Sequence, residues 1–328
     1  MCGITALSRA SHSSIPDGYR AVLAALLSIE HRGPDSTGVA WTRGKQGKVW
    51  YDKRVGPASE VAGDLSLDRK VPIRTAIGHT RWSTQGAHTY DNAHPVVADN
   101  ICLVHNGVVS NDDDLIAVAG NPPRVGEVDS WAIAALIAAQ HELGAEHPGE
   151  LLELIKGDAA VAWIDANDPK SLHLARVTGR PMTIAWTRRG DLLMSSTRAS
   201  LRRTATLIGV GLTGVTDVPV GCYLRIVQGK IVERRRFNGT SDTAPAKPAR
   251  LPLDWDDEPA IVQHRRSVRQ RRMSVTDLFE TPMAERDDAF WAEVDEVLGV
   301  DRARWSTAEQ RWLDPKTGPF DPNTEGRS

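Results

Sequence analysis

Only three cysteines, Cys2, Cys102 and Cys222, occur among 328 residues. Three is too few, and odd, for a disulfide framework, and it fits a reducing compartment. No apolar run approaches the ~18 residues of a transmembrane helix. The start shows no basic segment followed by an apolar one, so no secretory leader is expected. The expected location is therefore cytoplasmic, with no membrane association. Neither sign of charge dominates: the formal net charge of −2 gives the whole chain no electrostatic footprint for nucleic acid or an anionic membrane. Internal repeats are also lacking, which excludes solenoids and propellers.

What is present is ordinary for a globular protein. Hydrophobic residues make up 41% and charged residues 25% of the chain. The length allows one large domain or two smaller ones. Gly3 to Ser8 reads as a strand, followed by an amphipathic helix opened by Pro16-Asp17 with Val22, Leu23, Leu26 and Leu27 on one face. Further strands are expected over Thr37–Trp41, Lys48–Lys53, Arg74–Trp82 and Ile101–His105, the last ending in a turn at Asn106-Gly107. Short helices are expected over Ala58–Leu65, over Asp112–Ala119 capped by Asn111, and over Pro148–Ile155. A longer one is expected over Ser130–Leu143. Strands and hairpins then dominate from Ala159 to Arg235, with hairpin signals at Arg189-Gly190-Asp191 and Gln228-Gly229.

The character changes near Asn238. Thr240–Pro252 is rich in Pro, Ala, Ser and Thr and reads as linker. Five arginines lie between His264 and Arg272, and helices are expected at about Glu285–Leu298 and Thr307–Leu313. The expected organisation is a domain over 1–238, a linker over 239–263 and a charged, partly helical tail over 264–328. No aromatic residue interleaves the arginines, and from Gly239 onward acidic residues outnumber basic ones. This favours a solvated or partner-docking face over nucleic acid.

The chemistry starts at Met1-Cys2. If Met1 is removed, Cys2 carries a nucleophilic thiol and a free α-amine that can act as its base. Cys2-Gly3-Ile4 is followed in order by Arg32-Gly33-Pro34-Asp35-Ser36-Thr37-Gly38, Gly78-His79-Thr80-Arg81-Trp82-Ser83-Thr84-Gln85-Gly86, Asn92-Ala93-His94-Pro95, and His105-Asn106-Gly107 with Asn111 and Asp129-Ser130 beyond. Each block is weak alone; five in order over about 130 residues are specific. Together they resemble the class II glutamine amidotransferases, which are N-terminal-nucleophile (Ntn) hydrolases. Within that family they are most similar to the glutaminase half of glucosamine-6-phosphate synthase. The resemblance covers roughly residues 2–237.

That resemblance implies an α+β fold, the four-layer αββα sandwich, and hydrolysis of L-glutamine through a γ-glutamyl thioester on Cys2. It implies that the Asn106 side-chain amide and the Gly107 backbone N–H form an oxyanion hole, that Arg81 forks onto the α-carboxylate, and that Asp129 takes the α-ammonium. Trp82, Ser83 and Thr84 would line the pocket. No cofactor is implied. The ammonia would pass to an acceptor on a separate synthase chain, docked through the tail. A sugar-phosphate acceptor is not supported, because Gln85 and Trp131 depart from that branch's pattern and only 90 residues follow 238.

Each residue also has a plainer role. Arg81 can serve a structural ion pair, Asp129 can cap a helix, and Asn106-Gly107 is a common turn dipeptide. His79 and His105 are read as structural. His79, His88, His94 and His105 lack the spacing of a zinc site, so no metal is expected. Two other functions stay open: N-terminal cysteine hydrolysis of a different amide, and a non-catalytic amidotransferase-like assembly protein.

Overall fold

The computed structural model describes residues 2–15, 17–43, 48–67, 72–83 and 87–238, together with the backbone of 304–306, 311–314 and 318–320. The chain divides into two compact units, Met1–His264 and Arg265–Ser328.

The first unit holds two antiparallel sheets. Sheet A is built from β1 (Gly3–Ser8), β2 (Ser36–Arg43), β3 (Val49–Val55), β4 (Ile73–Arg81), and, later in the chain, β9 (Thr183–Thr187), β10 (Leu192–Ser195) and β11 (Leu212–Asp217). Sheet B is built from β5 (Val96–Ala98), β6 (Ile101–Val109), β7 (Gly157–Asp165), β8 (Ser171–Arg176), β12 (Cys222–Val227) and β13 (Lys230–Arg236). The order in sheet A is β11-β9-β10-β1-β4-β2-β3, and in sheet B β13-β12-β8-β7-β6-β5. β1 is thus a central strand, and β4 joins it to the hairpin of β2 and β3.

Burial explains the layering. Ile4, Ala6, Ala40, Ile77 and Met194 from sheet A pack with Val104, Ala162, Leu174 and Leu224 from sheet B in one inter-sheet core. α1 (Gly18–Ile29) lies on the outer face of sheet A, where a Cβ on Gly78 of β4 would meet the Leu26 side chain at 2.9 Å. α2 (Ala58–Val61) is a single turn near it. On the outer face of sheet B, α3 (Asp112–Val118), α4 (Ser130–Ala138) and α5 (Pro148–Leu152) bury Trp131, Ile133, Leu136 and Leu152 against Trp163 and Tyr223. α6 (Arg198–Leu207) packs with α1. The result is helix, sheet, sheet, helix: the αββα sandwich.

Local signals account for most boundaries. Asp17 caps α1 by accepting from the backbone N–H groups of Tyr19 and Arg20. Gln228 and Gly229, both at positive φ, turn β12 into β13. Three expectations differ. β6 does not stop at a turn; it runs through Asn106 and Gly107 to Val109, paired with β7 throughout. α4 ends at Ala138 rather than Leu143, because the hydrogen bonds tighten to i→i+3 at Gln140 and Gly144. Asn111 does not cap α3 with its side chain. Its amide instead bridges Leu154 O and Lys156 N, tying the chain ahead of β7 to the end of β6. Sequence patterning also passed over β5, β11 and α6.

In the second unit the described residues form β14 (Arg304–Ser306), β15 (Arg311–Asp314) and β16 (Gly318–Phe320), a small antiparallel sheet. β15 overlaps the helix expected over Thr307–Leu313. The arginine cluster and the helix expected over Glu285–Leu298 lie outside the described residues.

Candidate active site

The site is set by the register of β1 on β4. Gly3 pairs with Thr80 and Ile4 with His79, which brings Cys2 beside Arg81 at the end of both strands. Cross-strand partners share a face, and Ile4 faces the inter-sheet core. Cys2 and Arg81 therefore stand at the mouth of that core. The Cys2 Sγ lies 3.6 Å from the Trp82 carbonyl oxygen. Arg32 Nε donates to the Cys2 carbonyl at 3.0 Å. Burial pushes the Cys2 thiol above its ordinary value, while the nearby Arg81 guanidinium pulls the other way. A thiol so placed needs a base before it can attack.

The family-like blocks fold onto this point. Gly33 lies so close to the Arg81–Trp82 peptide that a Cβ there would collide with it. Asp35 then accepts Arg81's strand end: its N–H donates to Arg81 O at 2.9 Å, and its carboxylate takes the Ser83 N–H at 2.6 Å. Gly38 is held against the His94 carbonyl in the same way. Lys53 Nζ donates to Ala93 O at 2.9 Å and Pro95 O at 3.3 Å, fixing the Asn92–Pro95 block from β3.

Asn106 lies on β6, in the facing sheet. It is 1% exposed, and its Nδ2 finds no acceptor among the described residues. An unpaired buried donor costs about 1–3 kcal/mol, so its position has to be held by its surroundings. They are visible: β6 is paired on both sides of Asn106 with β7, and a Cβ on Gly107 would strike Asp158 O. Only glycine allows that close approach.

Asp129 precedes α4 but makes no side-chain cap. Its Oδ2 accepts the Val109 N–H of β6 at 2.6 Å, and its Oδ1 accepts from Ser130 Oγ at 3.3 Å. Its charge is felt by both Cys2 and Arg81. The carboxylate is thus anchored to β6, near enough to Cys2 and Arg81 for its charge to act on both. His105 Nδ1 stands 2.9 Å from Ser130 Oγ and its Nε2 3.3 Å from Asp158 O, a structural arrangement. His79 Nε2 lies 2.9 Å from His105 O, and its ring stacks on His94 at 4.0 Å. Burial pushes His79 down to about 3 and His94 well below its ordinary value.

Of the residues the sequence pointed to, Cys2, Arg81, Trp82 and Asp129 come together, with Asn106 and Gly107 on the facing strand. Trp82 contributes its carbonyl at the thiol, while its side chain is 39% exposed. Ser83 is fixed by Asp35. Thr84 lies outside the described residues. Among those residues, no group of three or more His, Cys, Asp or Glu side chains is placed to hold a metal. Sequence reasoning passed over Asp35, Lys53 and Glu127; Asp35 sat inside a quoted block, and Glu127 stands two residues before Asp129.

A central β1 that follows directly on Cys2, the αββα layers and this constellation define the class: an Ntn-hydrolase domain of the class II glutamine amidotransferase kind. Its particular relatives are the glutamine–fructose-6-phosphate aminotransferases [isomerizing]. The chain is 27% identical to that of Oceanobacillus iheyensis over 275 residues, covering 80% of this chain and 44% of the relative. It is 31% identical to that of Rhizobium meliloti strain 1021 over 250 residues, covering 74% and 39%. The chain thus spans less than half the length of the curated relatives it matches. Among solved structures it is similar in fold to the glutamine phosphoribosylpyrophosphate amidotransferase of B. subtilis complexed with ADP and GMP. That match has a TM-score of 0.57 at 22% identity, over 73% of this chain and 50% of that one. No family model matches the chain.

Proposed function

We propose that the domain over residues 1–238 hydrolyses L-glutamine to glutamate and ammonia with Cys2 as nucleophile. The observation that carries this is the pairing of a thiol at the start of β1 with the Arg81 guanidinium at the end of β4, at the mouth of the inter-sheet core. Removal of Met1 gives Cys2 the α-amine that its raised thiol needs as a base. The thiolate adds to the side-chain carbonyl. The oxyanion is met by the unpaired amide of Asn106 and by the Gly107 N–H, donors in place before the charge develops. The amine returns the proton to the leaving nitrogen, ammonia departs, and water cleaves the γ-glutamyl thioester. Arg81 forks onto the α-carboxylate, as a lysine would do less well, and Asp129 receives the α-ammonium. Trp82 and Ser83 line the pocket.

The ammonia is passed to an acceptor on a separate synthase domain or chain, and the charged region beyond residue 263 is the proposed docking segment. A cytoplasmic location suits this chemistry; no helix among the described residues is long and apolar enough to cross a membrane.

The test is labelling with a γ-glutamyl affinity reagent followed by peptide mass mapping. Protein lacking Met1 takes up one equivalent at Cys2 and releases ammonia from glutamine, and Cys2→Ala does neither while keeping its melting temperature. Uptake at Cys102 or Cys222, or ammonia release by Cys2→Ala, sinks the proposal.

A further inference from the structure

Asn92 and Glu127 have no part in the reaction above, yet they are tied to Arg81. Asn92 is 2% exposed, with both ends of its amide engaged. Its Nδ2 donates to Ala87 O at 3.0 Å and to Glu127 Oε2 at 3.1 Å, and its Oδ1 accepts the Glu127 N–H at 2.7 Å. Glu127 Oε2 in turn accepts the Ala87 N–H at 3.2 Å. The Ala87 backbone is therefore gripped at its N–H by one residue and at its carbonyl by the other. That same carbonyl accepts from Arg81 Nη1 at 3.3 Å. Gly126, at φ +78°, lets the second loop come this close, since a Cβ there would stand 2.9 Å from Asn92 Oδ1.

We propose that Asn92 and Glu127 are positioning residues that fix the Arg81 guanidinium through the Ala87 backbone, and so set the enzyme's discrimination for amides bearing an α-carboxylate. The inference rests on the glutaminase reading of the site. Physically, a guanidinium forks onto a carboxylate only when its plane is held. A carbonyl that is itself fixed at both flanks supplies that hold. The two hydrogen bonds from Ala87 and Asn92 keep the Glu127 carboxyl below its ordinary range, so it stays an acceptor through the neutral region. Neither side chain touches the reacting atoms.

The test compares steady-state kinetics of the full chain on L-glutamine and on 4-aminobutyramide, which lacks the α-carboxylate. Asn92→Ala lowers the ratio of kcat/KM for the two amides about tenfold, through KM for glutamine, with kcat within about twofold. Glu127→Gln keeps an acceptor for the Ala87 N–H and lowers the ratio about threefold. Glu127 is exposed, so its variant carries the test if Asn92→Ala does not fold. Equal losses on both amides overturn the inference and leave the glutaminase reading standing. A wild-type chain, freed of Met1, that turns over neither amide counts against both.

Discussion

The two ends of β1 treat buried polar atoms in opposite ways. At the Ser8 end, Asp191 is fully buried and fully bonded: its carboxylate accepts Ala10 N at 2.9 Å, Ser14 N at 2.8 Å, Ser14 Oγ at 2.9 Å and Thr187 Oγ1 at 2.8 Å. Ser8 Oγ accepts the Gly229 N–H at 3.0 Å, and Arg9 holds the Ile15 and Ile73 carbonyls. At the Cys2 end, Asn106 Nδ2, His79 Nδ1 and both ring nitrogens of His94 are buried without partners among the described residues. One strand thus joins a closed network to an open one. The closed end contributes stability. In the proposed reaction the open end holds the Asn106 amide ready for a charge that exists only during turnover, which is how oxyanion stabilisation is prepared.

Two substitutions should separate the ends. Asp191→Ala leaves several buried donors unpaired and should cost about 3–5 kcal/mol in urea unfolding, with kcat/KM of the folded fraction unchanged. Asn106→Ala should do the reverse. It should lower kcat on glutamine about 10²–10³-fold, yet change unfolding free energy by less than about 1 kcal/mol, because no bond within the protein is lost. If Asn106→Ala unfolds the protein as Asp191→Ala does, the contrast between the ends is not functional. If Asp191→Ala abolishes turnover in fully folded protein, the closed end is part of the site.

Much of this contrast was legible in the residues, and the rest was not for physical reasons. A strand with strong patterning, such as Gly3–Ser8, falls where burial demands. The five ordered blocks pointed to the open end because their residues converge there. Asn106-Gly107 misled as a turn. The dipeptide's local preference is overridden by the pairing of β6 with β7, and Gly107 serves close approach to Asp158 instead. The Asn111 cap failed because the amide found long-range partners at Leu154 and Lys156, which lie over 40 residues away. Asp191 was seen only as a hairpin residue, since nothing local announces that Ala10 and Ser14 will meet it. Glu127 was missed for the same reason: its partners, Ala87 and Asn92, are brought to it by tertiary structure alone.

The smallest expected effect probes the imidazoles of the open end. His79 is pushed by burial from an ordinary value of 6.5 down to about 3. A histidine depressed in the fold stays neutral there while the unfolded chain takes up a proton. Its contribution is complete above about pH 6.5 and is lost as the pH falls toward about 3. One unit below 6.5, each such imidazole removes about 1.4 kcal/mol of stability. His79→Gln keeps a donor for the His105 carbonyl but has nothing to titrate. It should therefore be less stable than wild type at pH 7.5 by a margin that narrows by about 1.4 kcal/mol at pH 5.5. Urea unfolding at the two pH values reads this directly. A margin that does not change with pH would mean that His79 Nδ1 finds a partner and the ring titrates in the fold as in the unfolded chain. The open end of β1 would then be closed like the other.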